Sequence, residues 1–238
     1  MSEPRRGHVV AWDLPTRLFH WTLLALVGSA WVSFQYAEAL GDFRLKWHRW
    51  NGLAILVLLV WRLMWGLAGA STARFSSFLG SPLDALGYAR DHLSGRKTRY
   101  LGHNPLGAWM VIALLAALLT QATLGLFALE HNDLATGPLY PLAGAKLAKT
   151  LTSWHAWLFH WLILPLVALH VAANILYGLL AGEPLIAAMV TGKKPIAAYH
   201  DADAATVPPR PLLRALLLLA LSSTVVFGTI LALGGRLP

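Results

Sequence analysis

The chain has 238 residues, of which 57% are hydrophobic and only 13% charged, whereas an ordinary soluble domain carries about 25% charged residues. A water-soluble fold of this length has too little interior to hide so much apolar surface, so the composition describes an integral membrane protein. Its net charge of +8 comes from basic residues in loops flanking apolar runs, which argues for membrane topology rather than nucleic acid, and the lack of Cys excludes covalent c-type haem, thiolate iron–sulfur clusters, disulfides and Cys zinc sites.

A helical span needs about 20 apolar residues, and five runs qualify. The first covers 18–37. Arg5 and Arg6 precede it and Ala37-Glu38-Ala39 follows it, as in a signal peptide, but the run is too long for that and carries His20. The second covers 48–67. A polar stretch follows, within which Pro82–Leu93 reads as a short surface helix. The third span covers 105–129, the fourth 154–180 and the fifth 211–233. Between the last two, 182–210 reads as a linker, partly ordered at best. None of the runs alternates with period two, so the fold class is all-α and an outer-membrane barrel is excluded. Placing the N-terminus in the cytoplasm puts thirteen Lys and Arg on inner segments and six on outer ones. That bias predicts N-terminus in and, after five spans, C-terminus out.

Ten His is many for so apolar a chain, and ionisable side chains within spans are costly enough to suggest function. His20 lies near the inner end of span one, and His48 and His155 lie at the outer ends of spans two and four. His170 follows His155 by fifteen residues, about 22 Å along a helix. Depth alone therefore pairs His20 with His170 and His48 with His155. Two imidazoles on opposite faces of a planar macrocycle suit low-spin haem iron, which exchanges electrons and keeps no open position for substrate. The two layers are too far apart for one four-coordinate metal site. No carboxylate lies in the middle of a span, as a proton relay would require. Fifteen residues leave about 60° of rotation between His155 and His170, and a kink or local unwinding near Pro165 is the expected remedy.

Other residues fit around these pairs. Gly52 is one helical turn from His48 and lets a flat ring approach, and Gly107 and Gly125 offer the same on span three. Arg62, deep in span two, suits a haem propionate, with snorkelling to the interface as its alternative. Arg17 suits a lipid headgroup or quinone. His103 and His131 read as hydrated interfacial residues. His160 faces about 140° away from His155 and reads as a helix contact. His8, His92 and His200 read as loop residues. Trp12, Trp21, Trp47, Trp50, Trp154, Trp157 and Trp161 read as an interfacial belt.

The run from Ala11 to Trp21, with Asp13, Pro15, Arg17 and His20, resembles the first-helix signature of prokaryotic cytochromes b of the cytochrome b561 type, which include the b-type subunits of nickel–iron hydrogenases. Further matches are Trp47-His48-Arg49-Trp50-Asn51-Gly52 with Arg62 downstream, Tyr100 to Gly107, Ser153-Trp154-His155 leading to His170, and Met189 to Lys193. The resemblance covers about residues 9–195. It implies a four-helix bundle holding two non-covalent b haems on His20, His48, His155 and His170, with no catalytic residue of its own. It also implies electron passage between membrane quinone and a periplasmic redox partner, such as a c-type cytochrome or a dehydrogenase or hydrogenase subunit, in the bacterial inner membrane. The family's usual spacing of the fourth-helix ligands is fourteen residues, against fifteen here. Residues 1–195 then form the di-haem domain, and 196–238 a linker and an additional helix that docks a partner or returns the C-terminus. A stand-alone superoxide:quinone oxidoreductase and a haem-free transporter or anchor subunit are the alternatives, the latter opposed by the lack of any inverted repeat.

Overall fold

The computed structural model describes residues 7–36, 43–96, 98–129, 136–196, 198–202 and 205–238, and only the backbone of 43–45. In chain order these residues form β1 (His8–Val10), α1 (Leu14–Gln35), α2 (Phe43–Ala68), a 3-10 turn (Ser71–Ala73), α3 (Phe75–Phe78) and α4 (Pro82–Leu93). Then come α5 (Pro105–Leu126), α6 (Tyr140–Leu158), a π turn (Phe159–Ile163), α7 (Leu164–Ala181), α8 (Leu185–Thr191), β2 (Lys193–Pro195) and α9 (Pro211–Ala232). Five of these runs, Leu14–Gln35, Lys46–Ala68, Pro105–Leu126, Tyr140–Ala181 and Pro211–Ala232, are long and apolar enough to cross a membrane. The five expected spans are therefore present, and the surface helix Pro82–Leu93 has its expected bounds. The fourth run begins fourteen residues earlier than expected, at Tyr140. Lys146 and Lys149 hide its start from a hydropathy reading, and Gly144, at φ 67°, breaks its first turn from the rest.

Local chemistry sets the helix starts. Asp13 caps α1 by accepting the Thr16 amide at 2.9 Å. Asn104 does the same for α5 through the Gly107 amide at 2.8 Å. Ser81 and Asp84 form a reciprocal capping box on α4. Pro82, Pro105 and Pro211 are the first residues of their helices, where a missing amide proton costs nothing.

Packing divides the chain into two compact units. The first contains the N-terminal residues to Leu18, Leu63–Ala113 and Leu166–Ala215. Here β1 pairs antiparallel with β2, Val9 opposite Lys194. The amides of Ala11 and Trp12 both donate to the Gly192 carbonyl, at 2.9 and 3.1 Å. Gly192 ends α8 at φ 81°, a left-handed cap that glycine adopts without strain. The Asp201 carboxylate accepts the Leu101 and Gly102 amides at 2.5 and 2.9 Å. Lys194, 1% exposed, donates to the Tyr100 carbonyl at 2.8 Å and lies 3.9 Å from Glu183, which Arg99 also reaches at 3.2 Å.

The stretch 182–210 is thus not the loosely ordered linker its composition suggests. It holds a helix, a strand, a buried lysine and the Asp201 clamp. Its backbone bonds reach Gly7, Ala11, Trp12, Ser71 and Arg99, about a hundred to nearly two hundred positions away, which no local pattern announces.

The second unit contains Phe19–Arg62, Leu114–Pro165 and Leu216–Pro238. Its core joins Leu53, Leu56 and Val57 of α2 to Leu139 and to Val226 and Ile230 of α9. Ser222, Val226 and Ile230 recur every four residues and are all buried, so the fifth span is part of this core. Between spans in lipid, such contacts stabilise by close packing rather than by release of water. The Arg236 amide donates to the Pro138 carbonyl at 3.0 Å and ties the end of α9 to the segment before α6.

Candidate functional site

Within the second unit, α1 and α2 are latched by a cluster on Ser29 and Ala30. Trp47 Nε1 and Asn51 Nδ2 both donate to Ser29 Oγ at 3.0 Å. His48 Nδ1 lies 3.0 Å from the Ala30 carbonyl. His155, at the C-terminal end of α6, lies with Nδ1 2.9 Å from the Gln121 carbonyl on α5. A carbonyl only accepts, so in both rings Nδ1 carries the proton and Nε2 keeps its lone pair. This arrangement prepares a histidine to ligate a metal: the second ring nitrogen is held by an acceptor, and the ligating nitrogen is aimed.

The two rings lie edge-on at 6.2 Å between centroids, with planes 82° apart. A bond from imidazole nitrogen to a first-row metal is about 2 Å. One metal held between two imidazoles therefore puts the ring centres about 6 Å apart. The pair offers two imidazole donors, which suits an ion that brings its other ligands with it. The glycines agree. A Cβ at Gly125 would stand 3.2 Å from His155 Cε1, whereas one at Gly52 would meet nothing within 4 Å. Gly125 thus lets the imidazole lie against α5, and Gly52 leaves open space one turn from His48. These residues fit a bis-histidine haem.

The remaining candidates fall as follows. His20 belongs to the second unit and His170 to the first, so their pairing stands on sequence alone. His20 packs edge-on to Trp21 at 5.1 Å. His170 shares its turn with Asn174, whose amide donates to the His170 carbonyl at 2.7 Å and lies 3.4 Å from Nε2. Arg62 is 3% exposed, so it does not snorkel. Arg17 donates to the Val190 carbonyl at 2.6 Å, where a cation also complements the C-terminal end of α8.

Several minor expectations change. His103, expected as an interfacial residue, is half-buried with its ring packed near Trp12 and Phe78, at 4.8 and 4.6 Å. His92 lies in the last turn of α4, stacked near Tyr88 and Tyr177 at 5.9 and 5.2 Å, rather than in a loop. His8 is on β1, and His131 lies outside the described residues. Trp12, 7% exposed, is a core residue and not part of an interfacial belt. Gly107 serves the α5 cap. His160 is exposed and donates from Nδ1 to the Ala156 carbonyl of its own helix at 2.8 Å. The carbonyls of Ala30 and Gln121 and the side chains of Ser29 and Asn51 had no sequence signal as ligand supports.

A family model for prokaryotic cytochrome b561 matches residues 11–192. No curated protein and no solved structure matches the chain. The matched segment covers most of the chain and includes all four candidate histidines, so the chain belongs to this family of prokaryotic membrane proteins that bind b-type haem and transfer electrons.

Proposed function

We propose that this member of the prokaryotic cytochrome b561 family is a di-haem electron-transfer protein. It connects membrane quinone with a periplasmic redox protein, in the bacterial inner membrane with its N-terminus in the cytoplasm. The observation that carries the reading is the His48–His155 pair, two imidazoles 6.2 Å apart, each with Nδ1 bound to a backbone carbonyl. His20 and His170 supply the second pair, on the strength of their depth in the sequence. Bound haem, held by these histidines, would supply one-electron exchange.

The chain's own part is orientation and exclusion. The Ala30 and Gln121 carbonyls fix the ring tautomers and aim both Nε2 lone pairs. Gly125 and Gly52 leave the space that side chains would close. Arg62, buried within α2, supplies a cation for a propionate. Arg17 holds α1 to the end of α8, which makes it a positioning residue for the first helix. The thirteen-to-six distribution of basic residues supports the orientation.

A dithionite-reduced minus oxidised spectrum of the purified chain, with extracted haem counted per chain, tests the reading. Two non-covalent b haems are expected. His155→Ala should remove one and leave the other. A haem-free wild type would overturn the proposal.

A further inference from the structure

His155 and His170 belong to one helical run that changes its winding between them. Phe159–Ile163 forms a π turn, with the Leu164 amide donating to the Phe159 carbonyl five residues back. The flanking residues Leu158 and Leu164 are both ordinary right-handed helix, so the run bends its register without breaking. Pro165 follows at once. It lacks an amide proton, and its ring opposes the carbonyl four residues earlier, which disfavours the plain α pattern through this turn. A π turn carries one residue more than an α turn.

Burial shows what the extra residue does. Leu158 and Ile163 are 9% and 1% exposed, although five residues of α-helix would place them about 140° apart. Counted as one α residue fewer, the π turn brings both within about 40° of one inward line. On that count His155 and His170 stand about 60° and 20° from Leu158 on the same side, about 40° from each other against about 60° in an uninterrupted α-helix. In an uninterrupted α-helix His170 would stand about 120° from Leu158. Holding Ile163 inward instead would swing Leu158 outward and carry His155 about 80° from the line.

We infer that the π turn at Phe159–Ile163 is a one-residue register correction, braced by Pro165, that lets two histidines fifteen residues apart both serve as haem ligands. The inference rests on the di-haem reading above. Phe159–Ile163 and Pro165 are positioning residues and touch no reacting atom.

The test changes the length of the turn. Deleting His160, the exposed residue within it, should let the run close as a regular α-helix. Both haems should remain, with an unchanged reduced-minus-oxidised spectrum. His160→Ala should also keep both and so separates loss of the side chain from loss of the residue. Inserting one Ala after Leu162 adds a residue that the turn cannot absorb and should cost at least one haem per chain. Loss of a haem on deletion of His160, aggregation of that variant while His160→Ala stays intact, or two unperturbed haems after the insertion would each overturn the inference. A wild type without haem would instead remove the di-haem reading, so the two failures are distinguishable.

Discussion

The two units hold their key residues by opposite means. In the second unit His48 and His155 are placed by helices alone: each ring leans on the backbone of a neighbouring span, and the packing behind them is Leu, Val and Ile. In the first unit the ordering is polar and non-local. Strands of three residues tie segments nearly two hundred positions apart, and a carboxylate on two amides and a buried lysine tie segments about a hundred apart. A helix-built site tolerates changes in its loops but not in its facing side chains. A loop-built region fails through single polar groups.

The largest break in that comparison comes from the ligands. His48→Ala or His155→Ala should cut the haem content from two per chain to one, counted after extraction, while the first unit keeps its fold. Gly125→Val should follow. Its first branch atom already stands 3.2 Å from the His155 ring, so the imidazole must move, and a lower haem occupancy or a shifted midpoint potential should appear in a redox titration. Gly52→Ala, facing open space inside a helix, should leave the apoprotein at least as stable, and a larger side chain there should lower haem retention.

The reverse experiment strikes the first unit. Asp201→Ala leaves the Leu101 and Gly102 amides without their acceptor, at a cost of about 1.5–3 kcal/mol for charged hydrogen bonds. Thermal unfolding in detergent should occur at lower temperature, with the haem spectrum of the His48–His155 pair intact. Loss of that spectrum would show that the two means of ordering are not separable.

The smallest effect is alkaline. Burial, then the hydrogen bond shared with Tyr177, pushes the Tyr88 phenol above its ordinary value of 10.0. A pKa raised by folding gives stability that is fully present below pH 10 and is lost as pH climbs through the folded value. Tyrosinate absorbance should therefore show a late-titrating phenol in the wild type, and Tyr88→Phe should remove it.

The sequence made the second unit more legible than the first because helices advertise themselves locally. Apolar runs, a capping Asp13 or Asn104 and a Pro at the first helical position are all within a few residues of what they determine. The closeness of His48 and His155 followed from depth, and the spacing of fifteen pointed to a kink or local unwinding before His170, which takes the form of a π turn just ahead of Pro165. What stayed hidden was long-range or chemically mute. Nothing in the neighbourhood of Lys194 says that it is buried against Tyr100, and the Asp201 clamp joins residues a hundred apart. Hydropathy starts the fourth span only at 154, because Lys146 and Lys149 interrupt the stretch before it, yet the helical run begins at Tyr140 and is the longest among the described residues.

The supports behind the paired imidazoles are peptide oxygens, contributed by Ala30 and Gln121. Neither side chain takes part in those bonds. Mutation can therefore rewrite the letters at both positions while leaving the support in place, so long as α1 and α5 keep their course. The inheritance of ligand geometry here is carried by the shape of two helices and leaves no signature at the residues that provide it.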